Sequence, residues 1–299
     1  MHLIKSTILL GGIFLSLVGD TKEDMLFLAR SKNNLVKNKK NKKKDKELTE
    51  TEVTVIRKWE LPKELTEISG LSCMDEQRFA CVQDEVGEIF IYDIASSKVE
   101  KEIRFGPAGD YEGLAVVGET VWVLRADGKL FEVANLNAAK PVVKEYDTPL
   151  TIKQDTEGLC YDKKNNRLLI AIKGAEPDKS DYKGIYSFDL ASRKMDRQPV
   201  FKINLLDKAF EAKGKKKRGS INPSGISLNP LNGDLYITEG RDPKLLIMDA
   251  TGTIKKLYSL NTNEFSQPEG IAFTPAGDLF IANEGTKQPG NILQVKIDW

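Results

Sequence analysis

The stretch Gln267–Gly285, QPEGIAFTPAGDLFIANEG, decides the fold. Apolar residues at Gly270–Phe273 run into Pro275-Ala276-Gly277-Asp278, and a second apolar run, Leu279–Ala282, follows. Two short strands joined by Gly, Pro and Asp at that spacing form an antiparallel hairpin. The phrase recurs as NPSGISLNPLNGDLYITEG (Asn222–Gly240), DTEGLCYDKKNNRLLIAIKG (Asp155–Gly174), DYEGLAVVGETVWVLRADG (Asp110–Gly128) and EISGLSCMDEQRFACVQDE (Glu67–Glu85). Five copies of one hairpin make this a repeat protein, in which each unit leaves an apolar face for the next to cover.

Every copy is followed by a third strand, at Glu88–Tyr92, Lys129–Val133, Ile185–Phe188, Leu245–Met248 and Asn291–Val295. Fourth strands are expected at Val99–Phe105, Pro141–Tyr146, Pro199–Leu205 and Thr253–Leu260. The fifth unit ends without one, while VTVIRKWEL (Val53–Leu61) stands unassigned ahead of the first hairpin. These facts predict an all-β, five-bladed β-propeller of four-stranded blades, closed by the N-terminal strand pairing with the last unit. The repeated glycines Gly70, Gly113, Gly158, Gly225 and Gly270 are spaced by 43, 45, 67 and 45 residues. One blade needs ~40–50 residues, so the long interval is read as one blade plus a surface loop over 205–223. A six-bladed ring with one degenerate blade is the alternative.

Two segments precede the propeller domain of residues 51–299. Ser6–Gly19 is an uncharged, mostly apolar run behind Lys5. It is shorter than the ~20 residues of a membrane span and matches a signal-peptide core. Residues 1–19 thus read as a signal peptide or a short membrane anchor, with the domain exported to the periplasm or cell envelope. Residues 20–50 read as a basic disordered linker: residues 30–46 hold nine Lys or Arg against Asp45 alone. Such a segment cannot build a core, and it offers a contact to anionic membrane or cell-wall polymer.

The hairpins share a polar opening, an acid or amide, any residue, then Glu or Ser before Gly. In a propeller the first strand of each blade lines the central channel, and its start lies beside the exit of the second strand. One mouth should therefore gather Glu112, Glu157, Glu269, Asp84 and Asn283 as candidate metal ligands. Glu67, Ser69, Asp110, Arg125, Asp127, Asp155, Lys173, Ser224 and Glu239 complete the polar rim. Carboxylates so close cannot all ionise unaided. Arg125, Lys173, a bound cation or shared protons could compensate them. Oxygen-only donors suit Ca²⁺. A purely structural role, carboxylates locking one blade to the next, stands beside that reading.

The ordered series SGL, EGL, EGL, SGI, EGI, with matched strands between, resembles the SdiA-regulated, YjiK-like β-propeller family across Val53–Trp299. The resemblance implies a five-bladed envelope protein connected to calcium handling and without a settled enzymatic activity, with its site around Glu112, Glu157 and Glu269. The lysine-rich linker is a departure from that family.

Composition removes several chemistries. The single His is His2, inside the leader, so the domain lacks a Ser-His-Asp triad and a His-ligated zinc site. A net charge of +1 and the absence of a basic, aromatic-interleaved stripe argue against nucleic acid. Cys73, Cys81 and Cys160 read as free thiols. A turn near Glu76-Gln77 would pair Cys73 with Ala80 and set Cys73 and Cys81 on opposite faces. Trp59, Trp122 and Trp299 read as packing residues, and Glu176 as part of an outer loop. Two functions remain: a non-catalytic, calcium-binding scaffold, monomeric and meeting an unknown protein or envelope component at a rim, or a carboxylate-dependent, glycosidase-like hydrolase.

Overall fold

A computed structural model describes residues 53–298 apart from 177, 179–180 and 212–218. The leader and basic linker (1–50), and Trp299, lie outside the described residues. The chain forms five antiparallel sheets. β1 (Val53–Glu60) comes first. Blade 1 holds β2 (Ile68–Cys73), β3 (Arg78–Gln83), β4 (Glu88–Asp93) and β5 (Lys98–Arg104). Blade 2 holds β6 (Tyr111–Val117), β7 (Thr120–Arg125), β8 (Leu130–Ala134) and β9 (Val142–Tyr146). Blade 3 holds β10 (Thr156–Asp162), β11 (Arg167–Ile172), β12 (Tyr182–Asp189) and an outer edge in two pieces, β13 (Lys194–Met195) and β14 (Phe201–Asn204). Blade 4 holds β15 (Gly225–Leu228), β16 (Leu235–Glu239), β17 (Lys244–Met248) and β18 (Ile254–Ser259). Blade 5 holds β19 (Pro268–Phe273), β20 (Leu279–Asn283), β21 (Asn291–Ile297) and, as its outer strand, β1. The count is five blades, and the six-bladed alternative is set aside.

Closure takes the expected form. β1 pairs antiparallel with β21, from Val53 opposite Ile297 to Glu60 opposite Asn291. Trp59, on that closing strand, is buried and donates its Nε1–H to the Ile94 carbonyl of blade 1 at 2.8 Å. The last edge is thus covered and also tied to the first blade, which removes an exposed strand edge.

A sheet with two apolar faces must bury both, and here each face packs on the neighbouring blade. Five apolar cores result, one in each seam between consecutive blades. The long interval before blade 4 is partly anchored: Phe210 and Ile221 are buried in the core between blades 3 and 4, so the described ends of that segment are not a free surface loop. Cys73 lies opposite Phe79, not Ala80, and Leu71 lies opposite Cys81. The turn is one residue tighter than expected, which puts Cys73 and Cys81 on the same face, against one core. All three cysteines are free thiols. Trp59 and Trp122 are buried packing residues, as expected.

The inner strands β2, β6, β10, β15 and β19 surround the axis, each beside the next. The repeated glycines explain how they approach so closely. A Cβ on Gly113 would lie 2.6 Å from the Glu157 carbonyl oxygen, and one on Gly270 would lie 2.7 Å from the Leu71 amide nitrogen. Neither glycine has a positive φ. The requirement is room for the neighbouring backbone.

Candidate functional site

The residue before each glycine decides what the channel mouth becomes. In four of the five hairpins the register slips at that place: at Ile68/Gly70, Tyr111/Gly113, Thr156/Leu159 and Pro268/Ile271. An extra residue in one strand of a pair kinks the ladder and re-aims a side chain. The re-aimed residues are Ser69, Glu112, Glu157 and Glu269. In blade 4 the pairing runs regularly from Gly225 opposite Thr238, with Ser224 just ahead of it.

Serine and glutamate then take different parts. Ser69 Oγ donates to the Tyr111 carbonyl of the next blade at 2.6 Å, and Ser224 Oγ donates to the Pro268 carbonyl at 2.7 Å. The blade-locking role goes to the serines. Glu112, Glu157 and Glu269 instead line a cavity of about 340 Å³ at the channel mouth. Its other carboxyls are Glu67, Asp84, Glu239 and Glu284, and its cations are Lys173 and Arg241. Asn222, Gln267 and the two serines add neutral polar groups. Toward the centre the open space narrows to about 10 Å³ at the glycines and the aliphatic residues after them, Leu71, Leu114, Leu159, Ile226 and Ile271. That is about the least volume that holds one water, so the passage is constricted there.

Lys173, one residue beyond β11, supplies the central ion pair, with Nζ 2.6 Å from Glu157 Oε1. Burial opposes its charge, but Glu157, Glu269 and Asp155 together outweigh burial and hold the ammonium above its ordinary pKa. Burial also pushes Glu157 up, and Lys173 pulls it part of the way back. Burial raises Glu112 well above the carboxylate range, and neighbouring Glu157 and Asp110 add to the effect. Glu269 is pushed up to about 8 by burial and then by Glu157. Asp84 is pushed up to about 6 by burial and then by Glu67. Its Oδ1 is buried without a hydrogen-bond partner. Glu239 is raised by burial against the pull of Lys244, which it meets at 2.8 Å, and it also accepts from Asn222 at 3.2 Å.

Other expected members lie elsewhere. Asn283 is wholly buried and turned aside: its amide donates to Asn291 Oδ1 at 2.9 Å and to the Glu264 carbonyl at 3.3 Å. The residue after it, Glu284, lines the cavity instead. Asn283 stands opposite Pro268, the place of Gln83 opposite Ile68 in blade 1, and Glu284 takes the place of Asp84. Arg125 does not compensate the mouth, because it chelates Asp127 with Nε at 3.0 Å and Nη2 at 2.7 Å. Asp110 stands behind Glu112. Asp155 contributes its backbone, whose carbonyl accepts from the Lys173 amide at 2.8 Å. Glu176, expected on an outer loop, is buried and accepts from the Tyr186 hydroxyl at 2.7 Å and from the Gly184 amide.

The fit to calcium can be tested on these contacts. Ca²⁺ needs ~6–8 oxygens at ~2.3–2.6 Å. Glu157 and Glu239 already hold lysines, and Asn283 faces away. Among the described residues, no three or more acidic, His or Cys side chains are grouped to hold a metal ion. The residues as arranged do not form a calcium site. Among the described residues, the cavity lining includes no aromatic side chain either: Tyr111 and Trp122, the two candidates for sugar stacking, are buried in blade seams.

No protein-family model matches the chain, and no curated protein matches it in sequence. Solved structures do match in fold. The chain is similar to the glutaminyl cyclase of Myxococcus xanthus with a TM-score of 0.57 and 20% identity, covering 82% of this chain and 96% of that one. It is also similar to a streptogramin B lyase, with a TM-score of 0.48 and 15% identity over 82% of this chain and 98% of that one. At 20% identity the likeness to the cyclase is one of fold, and the five sheets make the chain a five-bladed β-propeller.

Proposed function

We propose that this propeller is a ligand-binding protein that takes a small organic cation, bearing a primary or secondary amine, into its channel mouth. The observation that carries this reading is the acidic cavity itself, where seven carboxyls face two cations across about 340 Å³. A volume of that order suits a small ligand. Burial and mutual repulsion hold Glu112 and Glu269 protonated, and an incoming positive charge favours their ionised form. The scattered carboxyls match N–H donors spread over a molecule better than they match one point charge. Asp84 Oδ1, which lacks a partner, is a ready acceptor. The apolar run at residues 6–19 supports export, which would place the mouth toward periplasmic or extracellular solutes.

The test is a thermal-shift panel of di- and polyamines, amino acids and dicarboxylates at low salt. Amines should raise the melting temperature, dicarboxylates should not, and Glu269→Gln should weaken the effect. Equal indifference to every amine would remove the reading.

One observation favours a second reading, carboxylate acid–base catalysis. Glu112 and Glu157 are neighbours held in different environments, Glu112 near another acid and Glu157 on an ammonium. Environments that differ in this way can separate a proton donor from an acceptor. Turnover of a glycoside or amide panel, lost in both Glu112→Gln and Glu157→Gln, would favour it over simple binding.

A further inference from the structure

We infer that the Lys173 ammonium is the resident counter-cation of the channel mouth, and that its presence excludes divalent metal ions from the carboxylates there. The inference does not depend on which ligand the mouth takes.

Lys173 is held from both sides. Its amide donates to the Asp155 carbonyl at 2.8 Å, and its own carbonyl accepts from Lys183 Nζ. The backbone is therefore fixed where the side chain reaches Glu157, a residue only 2% exposed. The same ammonium also acts on Glu269 and Glu284, from blade 5. One lysine of blade 3 thus serves acids of two blades.

The equivalent position, one residue past the second strand, is Asp84, Ala126, Gly240 and Glu284 in the other blades. Blade 3 alone has a cation there. Arg125 is engaged by Asp127, and Lys244 by Glu239 and Asp242. A divalent ion ligated by Glu157 would have to displace the ammonium, or sit against it with both charges positive. Removing the ammonium reverses the situation. Glu157, Glu269 and Asp84 would then line a cavity whose remaining described cation is Arg241, and a hard cation would relieve their repulsion.

The experiment compares the melting temperature and calcium calorimetry of the full chain in millimolar CaCl₂ and in chelator. Wild type and Lys173→Arg should melt alike in both and give no saturable heat. Lys173→Gln and Lys173→Met should gain calcium binding. Their melting temperature should rise by about 5–10 °C at a hundredfold excess over Kd. Adding Glu157→Gln should abolish the gain. Calcium binding by wild type would overturn the inference. So would folded Lys173→Gln and Lys173→Met proteins that stay indifferent to calcium. Should either variant fail to fold in chelator, rescue by calcium supports the inference, and failure of both to be rescued overturns it.

Discussion

The Ser69 hydroxyl donates to the Tyr111 carbonyl at 2.6 Å, from blade 1 to blade 2, beside a cavity that Glu112 of blade 2 lines. Ser224 makes the matching bond to Pro268. Both hydroxyls are buried, so removing either leaves a carbonyl short of a donor. Ser69→Ala and Ser224→Ala should each cost about 1–2 kcal/mol in urea denaturation. Glu112→Gln should cost nothing or stabilise, because burial already disfavours its charge. A Glu112→Gln loss equal to the serine losses would show that glutamate shares the locking role.

The closing strand offers a second prediction. Trp59 fills the seam between blades 5 and 1 and holds the Ile94 carbonyl. Trp59→Ala should cost about 3–5 kcal/mol, and the β1–β21 amides should lose hydrogen-exchange protection before those of blade 3. Uniform loss across all blades would mean that closure is not the weak seam.

Close approach at the axis predicts an unequal pair of glycine substitutions. Gly113→Ala drives a methyl group into the Glu157 carbonyl and should cost several kcal/mol or prevent folding. Gly118 has φ +61 and open space around it, so Gly118→Ala should cost only about 1 kcal/mol, from backbone strain. Comparable losses at the two sites would contradict the packing argument.

The number of blades, their order and the closing strand were legible because the five hairpins differ little, one strand was left over at the N-terminal end and the last unit lacked one. The mouth was legible to the level of Glu112, Glu157 and Glu269 for the same reason. Legibility stopped at single-residue register. Gln83-Asp84 and Asn283-Glu284 are equivalent pairs, yet which member of a pair reaches the cavity wall depends on a register that composition does not show. The turn after Cys73 shifted the two cysteines onto one face in the same manner. Arg125 and Lys173 are one register place apart: Arg125 stands opposite Tyr111, where blade 3 has Ile172, and Asp127 captures it there. Glu176 lies in a stretch that reads as loop, and its partner Tyr186 is ten residues away on β12.

The raised pKa of Glu269 sets a pH dependence opposite to that of most carboxylates. It titrates at about 8 in the folded protein, against ~4.3 when unfolded. Between those values the native state keeps a proton that the unfolded state has released. Stability therefore falls as pH rises through that window. Asp84, at about 6, adds to the fall below that pH. Glu269→Gln should flatten the decline and exceed wild type at pH 8 by about 2–4 kcal/mol. Parallel stability profiles from pH 5 to 9 would contradict the assignment.

The central claim, that the mouth binds a small organic cation, is tested most directly by calorimetric titration of the wild-type chain with spermidine at low and at moderate salt. Saturable one-site binding is expected, weakening as salt rises, dropping at least tenfold in both Glu269→Gln and Asp84→Asn, and persisting undiminished in chelator. Spermidine binding unchanged by either substitution, or heat that appears only when calcium is added, would contradict it.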